Sequence, residues 1–433
     1  MKIPFTQLLL ISALLAGHAA HAATAQAALA QPAEQGTGLD SARLTRLHDY
    51  LQAMTDAEHG RYLGAVSIIA RHGRVVDVAA YGYRDMQRTE KLKADAVFQI
   101  YSMSKSVTAA ALMLLLEEGK VALEDPVARF IPAFAGMRVY VSGSADNPVT
   151  RPAASPITIR QLLTHTPGFS VYGARGDALT TVFERANLDS APDLAAYAER
   201  LSHTLLAHDP GREFHYDGVP TQVVARIVEV ASGMPFDAFL RTRLFGPLKM
   251  VDTGFTVPMA QRHRIATMTT TDSRGRLIEA PRMVSELAAP GEQRRRFFSG
   301  AGGLYSTAPD YARFAQMLLN GGSLDGVRVL NPRTVQLMMH NHLQQLSLPI
   351  AGLTPGESFA LGGSVVIDAP RRGRLGSNGQ YGWSGAGGTW YTVDPQEQLV
   401  AVLMTQHLPQ GLPRDPRKPV IDYTNLLYQS LQP

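Results

Sequence analysis

The chain of 433 residues contains no cysteine. That excludes a disulfide framework, a thiol nucleophile, a cysteine-held metal and a lipid-bearing cysteine. Charge of one sign is also scarce, with 41 basic against 37 acidic residues and a net charge of +4. Nucleic-acid binding would show as clustered Lys and Arg with interleaved aromatics, and this pattern is missing. The one tight basic run, Arg294-Arg295-Arg296, reads as a solvated loop. Long apolar runs are missing too. The run Phe5 to Leu15 is shorter than the ~20 residues a bilayer-spanning helix needs, so no stable membrane span is expected. His340 and His342 alternate without an acidic cluster nearby, which gives no metal site. There is no Gly-x-Ser-x-Gly elbow, which argues against an α/β-hydrolase.

What is present begins at the N-terminus. Lys2, the apolar run and Ala20-His21-Ala22 form the charged, apolar, small-residue pattern of a secretory signal peptide over residues 1–22, with cleavage expected after Ala22. An exported chain without cysteine suits the periplasm or secretion. Residues 23–38 are Ala/Gln-rich and read as a flexible leader, leaving 39–433 as the folded domain. Asp40 or Ser41 caps a helix with Leu44, Leu47, Leu51 and Met54 at helical spacing. Gly64 to Ile69 and Val75 to Ala80 read as a hairpin turning at His72-Gly73. Ala96 to Tyr101 is strand-like, and Ser102 to Gly119 is a long apolar helix.

Residues 120–295, roughly, read as a mainly helical lobe, with helices over Thr158–Thr164, Leu188–Leu206 and Thr221–Ser232. A further helix covers Asp310–Leu319. Strands return at Leu361–Ile367, Trp390–Val393 and Leu399–Thr405, followed by a last helix, Asp422–Leu431. Strands at both ends around a helical middle predict an α+β fold, with an antiparallel sheet built from N- and C-terminal segments.

The segment Tyr101-Ser102-Met103-Ser104-Lys105 contains Ser-x-x-Lys at the start of the most apolar helix. Three residues apart on a helix, Ser102 and Lys105 share a face. A serine hydroxyl needs an adjacent base. Lysine serves only when neutral, a state that burial and the positive helix N-terminus both favour. Ser104 and Ser106 have no lysine three residues later.

Three further segments follow: Leu162-Leu163-Thr164-His165-Thr166-Pro167-Gly168, then His215-Tyr216-Asp217-Gly218, then Gly382-Trp383-Ser384-Gly385-Ala386. In order and spacing the four resemble the serine β-lactamase-like superfamily, with its class C β-lactamases, DD-peptidases and family VIII carboxylesterases. The resemblance runs from about Gly64 to the last helix. It implies that Ser102 is acylated, that Lys105 takes its proton, and that Tyr216 shares general-base work and protonates the leaving group. A phenol loses its proton near pH ~10 in water, so phenolate there needs a neighbouring ammonium. It also implies that Trp383, Ser384 and Gly385 lie on a sheet-edge strand beside the substrate. The Ala386 N–H then completes an oxyanion hole with that of Ser102. His165 is implied to be a structural marker. No metal or organic cofactor is implied.

Two positions depart from the β-lactamase and peptidase pattern. Gly218 stands where Tyr-x-Asn has its amide, and Trp383 stands where Lys- or His-Thr/Ser-Gly has its cation. The cation would bind a substrate carboxylate; a tryptophan presents an apolar face. Family VIII esterases are similar here, with Trp-x-Gly. The expected activity is therefore that of a carboxylesterase on a small-molecule ester or amide. A β-lactamase or D-alanyl peptidase is the alternative, in which Arg371, Arg372 or Arg374 supplies the cation. A penicillin-binding or sensor protein without turnover is the alternative of another class, disfavoured by the intact Ser102, Lys105 and Tyr216. Leu343–Ser358 and a loop at Val141–Ala153 are expected to shape the cleft.

Overall fold

Valine- and isoleucine-rich stretches form β1 (Gly64–Arg71) and β2 (Arg74–Gly82), joined through His72 and Gly73 at φ of 51° and 77°. A computed structural model of the chain describes residues 38–169, 177–281, 291–292 and 296–432. The expected signal peptide, the leader up to residue 37, and Arg294-Arg295 lie outside the described residues.

Five C-terminal strands complete the sheet: β3 (Glu357–Phe359), β4 (Ser364–Val366), β5 (Tyr381–Ser384), β6 (Trp390–Asp394) and β7 (Leu399–Thr405). The order is β3-β4-β5-β6-β7-β1-β2, every pair antiparallel. β1 meets β7 in a register from Ala65↔Thr405 to Arg71↔Leu399, so the two ends of the chain share one sheet. The fold is α+β, as expected.

Each face is covered by helices. On one face α1 (Ser41–Met54), capped by Asp40, lays Leu47 and Leu51 against Trp390 and Leu403, together with Tyr423 and Leu427 from α5 (Val420–Tyr428). On the other lies α2 (Ser104–Glu117), buried continuously from Ser104 to Leu115. A helix apolar all round belongs inside a core. α3 (Val219–Ser232) and α4 (Ala308–Leu319) pack within the same large core. Among the described residues no helix is long and apolar enough to cross a membrane.

Several elements differ from the sequence expectation. The helix expected over Leu188–Leu206 is a 3-10 turn, Leu188–Ser190, and a helix, Leu194–Ser202. Pro192 cannot continue a helix interior, and Asp193 restarts it by accepting from the Ala196 N–H at 2.8 Å. The expected loop at Val141–Ala153 is largely an antiparallel hairpin of Arg138–Gly143 with Pro148–Pro152. The strand expected over Leu361–Ile367 shortens to Ser364–Val366, because Gly362 at φ 77° turns the chain beforehand.

Candidate active site

The first helix turn after the short strand Val97–Gln99 is a 3-10 segment, Tyr101–Met103, leading into α2. Tyr101 has φ of 44°, a backbone state costing a non-glycine residue ~1–3 kcal/mol. Its neighbours are held from several directions. The Ile100 N–H donates to Leu304 O at 3.0 Å, Thr389 Oγ1 donates to Ile100 O at 3.3 Å, and Tyr311 Oη donates to Met103 O at 2.8 Å. The strained turn thus sets Ser102 at the head of a buried helix. Lys105, one turn on, is 2% exposed. Its Nζ lies 3.0 Å from Ser102 Oγ and 2.9 Å from Ala301 O.

Tyr216 comes from the segment before α3. That segment is tied to the turn after the helix Ile159–Leu163 by the Gly211 N–H to Thr166 O (2.7 Å) and the His215 N–H to His165 O (2.9 Å). Lys105 Nζ lies 5.0 Å from the centre of the Tyr216 ring. Trp383 Nε1 donates to Tyr216 Oη at 2.8 Å. Around this pair stand three more rings. His165 is 4.7 Å from Tyr216, Phe359 is 5.1 Å from Trp383, and Phe214 is 5.3 Å from Phe359, centre to centre. Leu343, Ile350 and Leu353 back the cluster, so Leu343–Ser358 does flank the site.

β5 is paired with β6 along its whole length, but β4 reaches only Tyr381 and Gly382. Trp383 and Ser384 are therefore left on an open edge. Beyond them Gly385 approaches the Ser102 turn so closely that a Cβ would sit 2.3 Å from Ile100 O. A glycine is required there for close backbone approach. Ala386 is exposed, and its N–H takes part in no hydrogen bond among the described residues.

Two buried ionisable groups adjoin the set. Asp217 accepts from the Val219 N–H at 2.8 Å through Oδ1, while Oδ2 has no partner among the described residues. Burial pushes its carboxyl up to about 7, opposed by the Val219 hydrogen bond and by Lys105. His165 is held well below the ordinary imidazole value by burial, then by Lys105 and His215, so it is neutral.

Ser102, Lys105, Tyr216 and Trp383 thus converge, with Gly385 and its neighbour Ala386 against the Ser102 turn. Arg372 and Arg374 do not join them: both donate to the Glu357 carboxylate, at 2.6 and 2.7 Å. His342 is engaged by Arg160 and by Leu337 O. Sequence reasoning missed the Ala301 carbonyl, Asp217 and the Phe214–Phe359 wall. The glycines flanking Ala301 were a usable signal, since Gly300 lies where a Cβ would be 2.8 Å from Ala225 Cβ.

A family model described as Beta-lactamase matches residues 45–425. Protein Rv1367c of Mycobacterium tuberculosis (strain ATCC 25618 / H37Rv) is 34% identical over 357 residues, covering 81% of this chain and 87% of that protein. Esterase EstB of Burkholderia gladioli is 27% identical over 389 residues, covering 86% and 92%. The solved structure of simvastatin synthase LovD from Aspergillus terreus superimposes with a TM-score of 0.74 at 22% identity, covering 90% of this chain and 99% of that one, which is a likeness of fold. With the match spanning most of its length, the chain belongs to the beta-lactamase family of serine hydrolases.

Proposed function

We propose that the protein is a carboxylesterase working through an acyl-enzyme on Ser102. The observation that carries this is the indole of Trp383 standing in the cation's place with its N–H on Tyr216 Oη at 2.8 Å. An indole N–H can only donate. The Tyr216 oxygen is then the acceptor, and its own O–H is free to point at a leaving group. The wall offered to substrate is aromatic, which favours uncharged ester arms over a carboxylate.

Ser102 Oγ attacks the ester carbonyl as its proton passes to Lys105 Nζ. Lys105 Nζ stands within reach for this, 3.0 Å from Ser102 Oγ, while Ala301 O at 2.9 Å holds it in place. The Ser102 and Ala386 N–H groups hold the oxyanion, with Ser384 and Gly385 carrying the edge that presents Ala386. The tetrahedral adduct collapses, the alkoxide leaves with a proton from Tyr216, and Tyr216 regains one from Lys105. Water then repeats the attack on the acyl-enzyme, giving up a proton to the same pair, which returns it to Ser102 Oγ as the acyl bond breaks and the acid leaves.

The esterase activity in the name of the B. gladioli relative supports the same reading. We also propose that residues 1–22 direct export. N-terminal sequencing of the exported protein should begin at Ala23.

Hydrolysis of p-nitrophenyl butyrate and of a chromogenic cephalosporin, side by side with Ser102→Ala, tests the proposal. Ester cleavage well above cephalosporin cleavage, lost in the variant, is expected. Faster cephalosporin turnover overturns the esterase assignment, and an active variant overturns the nucleophile.

A further inference from the structure

Behind β5 lies a cavity of about 240 Å³. Side chains alternate across a strand. Its lining spans the edge of the sheet: Trp390, Thr392, Val420 and Ile421 stand on the α5 side, and Tyr381, Trp383 and Tyr391 on the α2 side. Its polar part is unusual. Arg372 Nε and Arg374 Nη2 both bond the same oxygen of Glu357, with the side chains only 4%, 13% and 7% exposed. Arg372 also donates to Gln380 Oε1 at 2.7 Å, and Gln380 in turn donates to Thr392. The Lys418 side chain adds a third cation at the exposed rim.

One carboxylate therefore pairs with two cations, both largely removed from water. A buried charge is costly unless paired. Two observations say that the pairing is incomplete. Arg374 Nε is buried with no hydrogen-bond partner among the described residues. Burial, together with the neighbouring Arg374, holds the Arg372 guanidinium below its ordinary value despite Glu357. Both deficits would be met by an acceptor carrying negative charge. A guanidinium's planar fork matches a carboxylate best, and the remaining walls, Trp390, Val420 and Ile421, are apolar.

We propose that this cavity binds a short aliphatic carboxylate, its head on Arg374 and Arg372 and its chain against Trp390 and α5. At ~30 Å³ per water-sized unit, the space suits an acid of roughly six to eight heavy atoms. Such an acid is the kind of product that ester cleavage releases, but its binding here does not depend on turnover. Because Gly382 and Ser384 also line the cavity, the ligand would rest on the strand that carries Trp383 to the catalytic side.

The chain has two tryptophans, Trp383 and Trp390, and both line this cavity. Intrinsic fluorescence therefore reads its occupancy. Sodium butyrate would be titrated into the whole protein carrying Ser102→Ala, with inorganic phosphate in parallel. Saturable butyrate binding is expected, weakened roughly tenfold or more by Arg374→Gln and about two- to threefold by Lys418→Gln. The Lys418 side chain is exposed, so that variant keeps the test valid should Arg374→Gln unfold. The butyrate signal should persist in Trp383→Phe, where Trp390 alone reports. Three results would overturn the proposal: no butyrate binding, phosphate bound in preference, or a butyrate signal that disappears with Trp383 and ignores Arg374, which would put the acid in the catalytic cleft. Because binding is read on a protein without its nucleophile, failure of the esterase reading and failure of this one are separate results.

Discussion

The two walls of the cleft are built in different ways. One is the head of α2, where Ser102 and Lys105 come from a single turn and the second partner of Lys105 is a backbone carbonyl, Ala301 O. The other is aromatic and comes from four distant stretches, at His165, Phe214–Tyr216, Phe359 and Trp383. The first wall is polar, its two side chains lie three residues apart, and its geometry is fixed by the backbone. The second is mostly apolar and long-range, and it enters the chemistry through Tyr216, whose Oη accepts from Trp383 Nε1. Activation of the nucleophile tolerates little variation, whereas packing between rings can be exchanged for packing of another shape. One family can thus keep its nucleophile and change its substrate, which is how the esterase reading and the family assignment fit together.

The largest expected effects fall on the first wall. Ser102→Ala should reduce kcat for p-nitrophenyl butyrate by roughly 10⁴-fold or more while leaving the melting temperature close to wild type. Lys105→Met, which keeps the length of the side chain, should cost roughly 10³-fold and some stability, because Ala301 O loses its donor inside the core. A Lys105→Met protein with near-normal turnover would move the general base to the second wall and erase the contrast.

Where the walls meet, Gly385→Ala is expected to be damaging although no functional group is removed. The added methyl would meet Ile100 O and Thr389 Oγ1, each at 2.3 Å. Forcing the edge of β5 off the Ser102 turn should cost ~1–3 kcal/mol, seen as a lower melting temperature and a lower kcat together. On the second wall, Trp383→Phe keeps an aromatic ring but removes the one donor to Tyr216 Oη among the described residues. We expect kcat to drop roughly tenfold, the value of one lost hydrogen bond of ~1.4 kcal/mol, with KM changed little. A change in KM alone would mean that Trp383 shapes the pocket without touching the chemistry.

The same contrast explains what could be read from the sequence. Local patterns were legible: the β1–β2 turn at His72-Gly73, the apolar helix after Ser102, and the Ser-x-x-Lys spacing. So was the joining of the chain's ends in one antiparallel sheet, since strand-like stretches stood at both. The break at Pro192 and the hairpin beginning at Arg138 lay inside a region read as helix and loop, where the β signal was only a few residues long. The aromatic wall was less legible. Phe359 carries no motif, and it reaches Trp383 only because the chain turns at Gly362 and returns as β4. His165 was recognised as a marker of its segment, but its ring contact with Tyr216 depends on how the turn after Leu163 is gripped by residues 211–215. The pairing of Arg372 and Arg374 with Glu357 was equally a matter of tertiary placement.

The smallest effect tests whether the boundary between the walls is electrostatically neutral. Asp217 sits beside Tyr216 in the chain, and burial raises its carboxyl from 3.8 to about 7. Between those values the folded protein holds a proton that the unfolded chain has released. Stability from this group is therefore fully present below pH ~4, is lost as pH rises through about 7, and is level above that. Asp217→Asn keeps an acceptor for the Val219 N–H but cannot ionise. Its melting temperature should match wild type near pH 4 and exceed it by a few degrees at pH 8. Asp310, also pushed up to about 7 by burial, bends the wild-type curve in the same window but is common to both proteins, so the difference between the curves isolates Asp217. A difference that stays flat from pH 4 to 8 would mean that Asp217 is already ionised when folded. Lys105, which favours the charged form of Asp217, would then have a buried counter-ion beside Tyr216, and the apolar wall would carry a charge of its own.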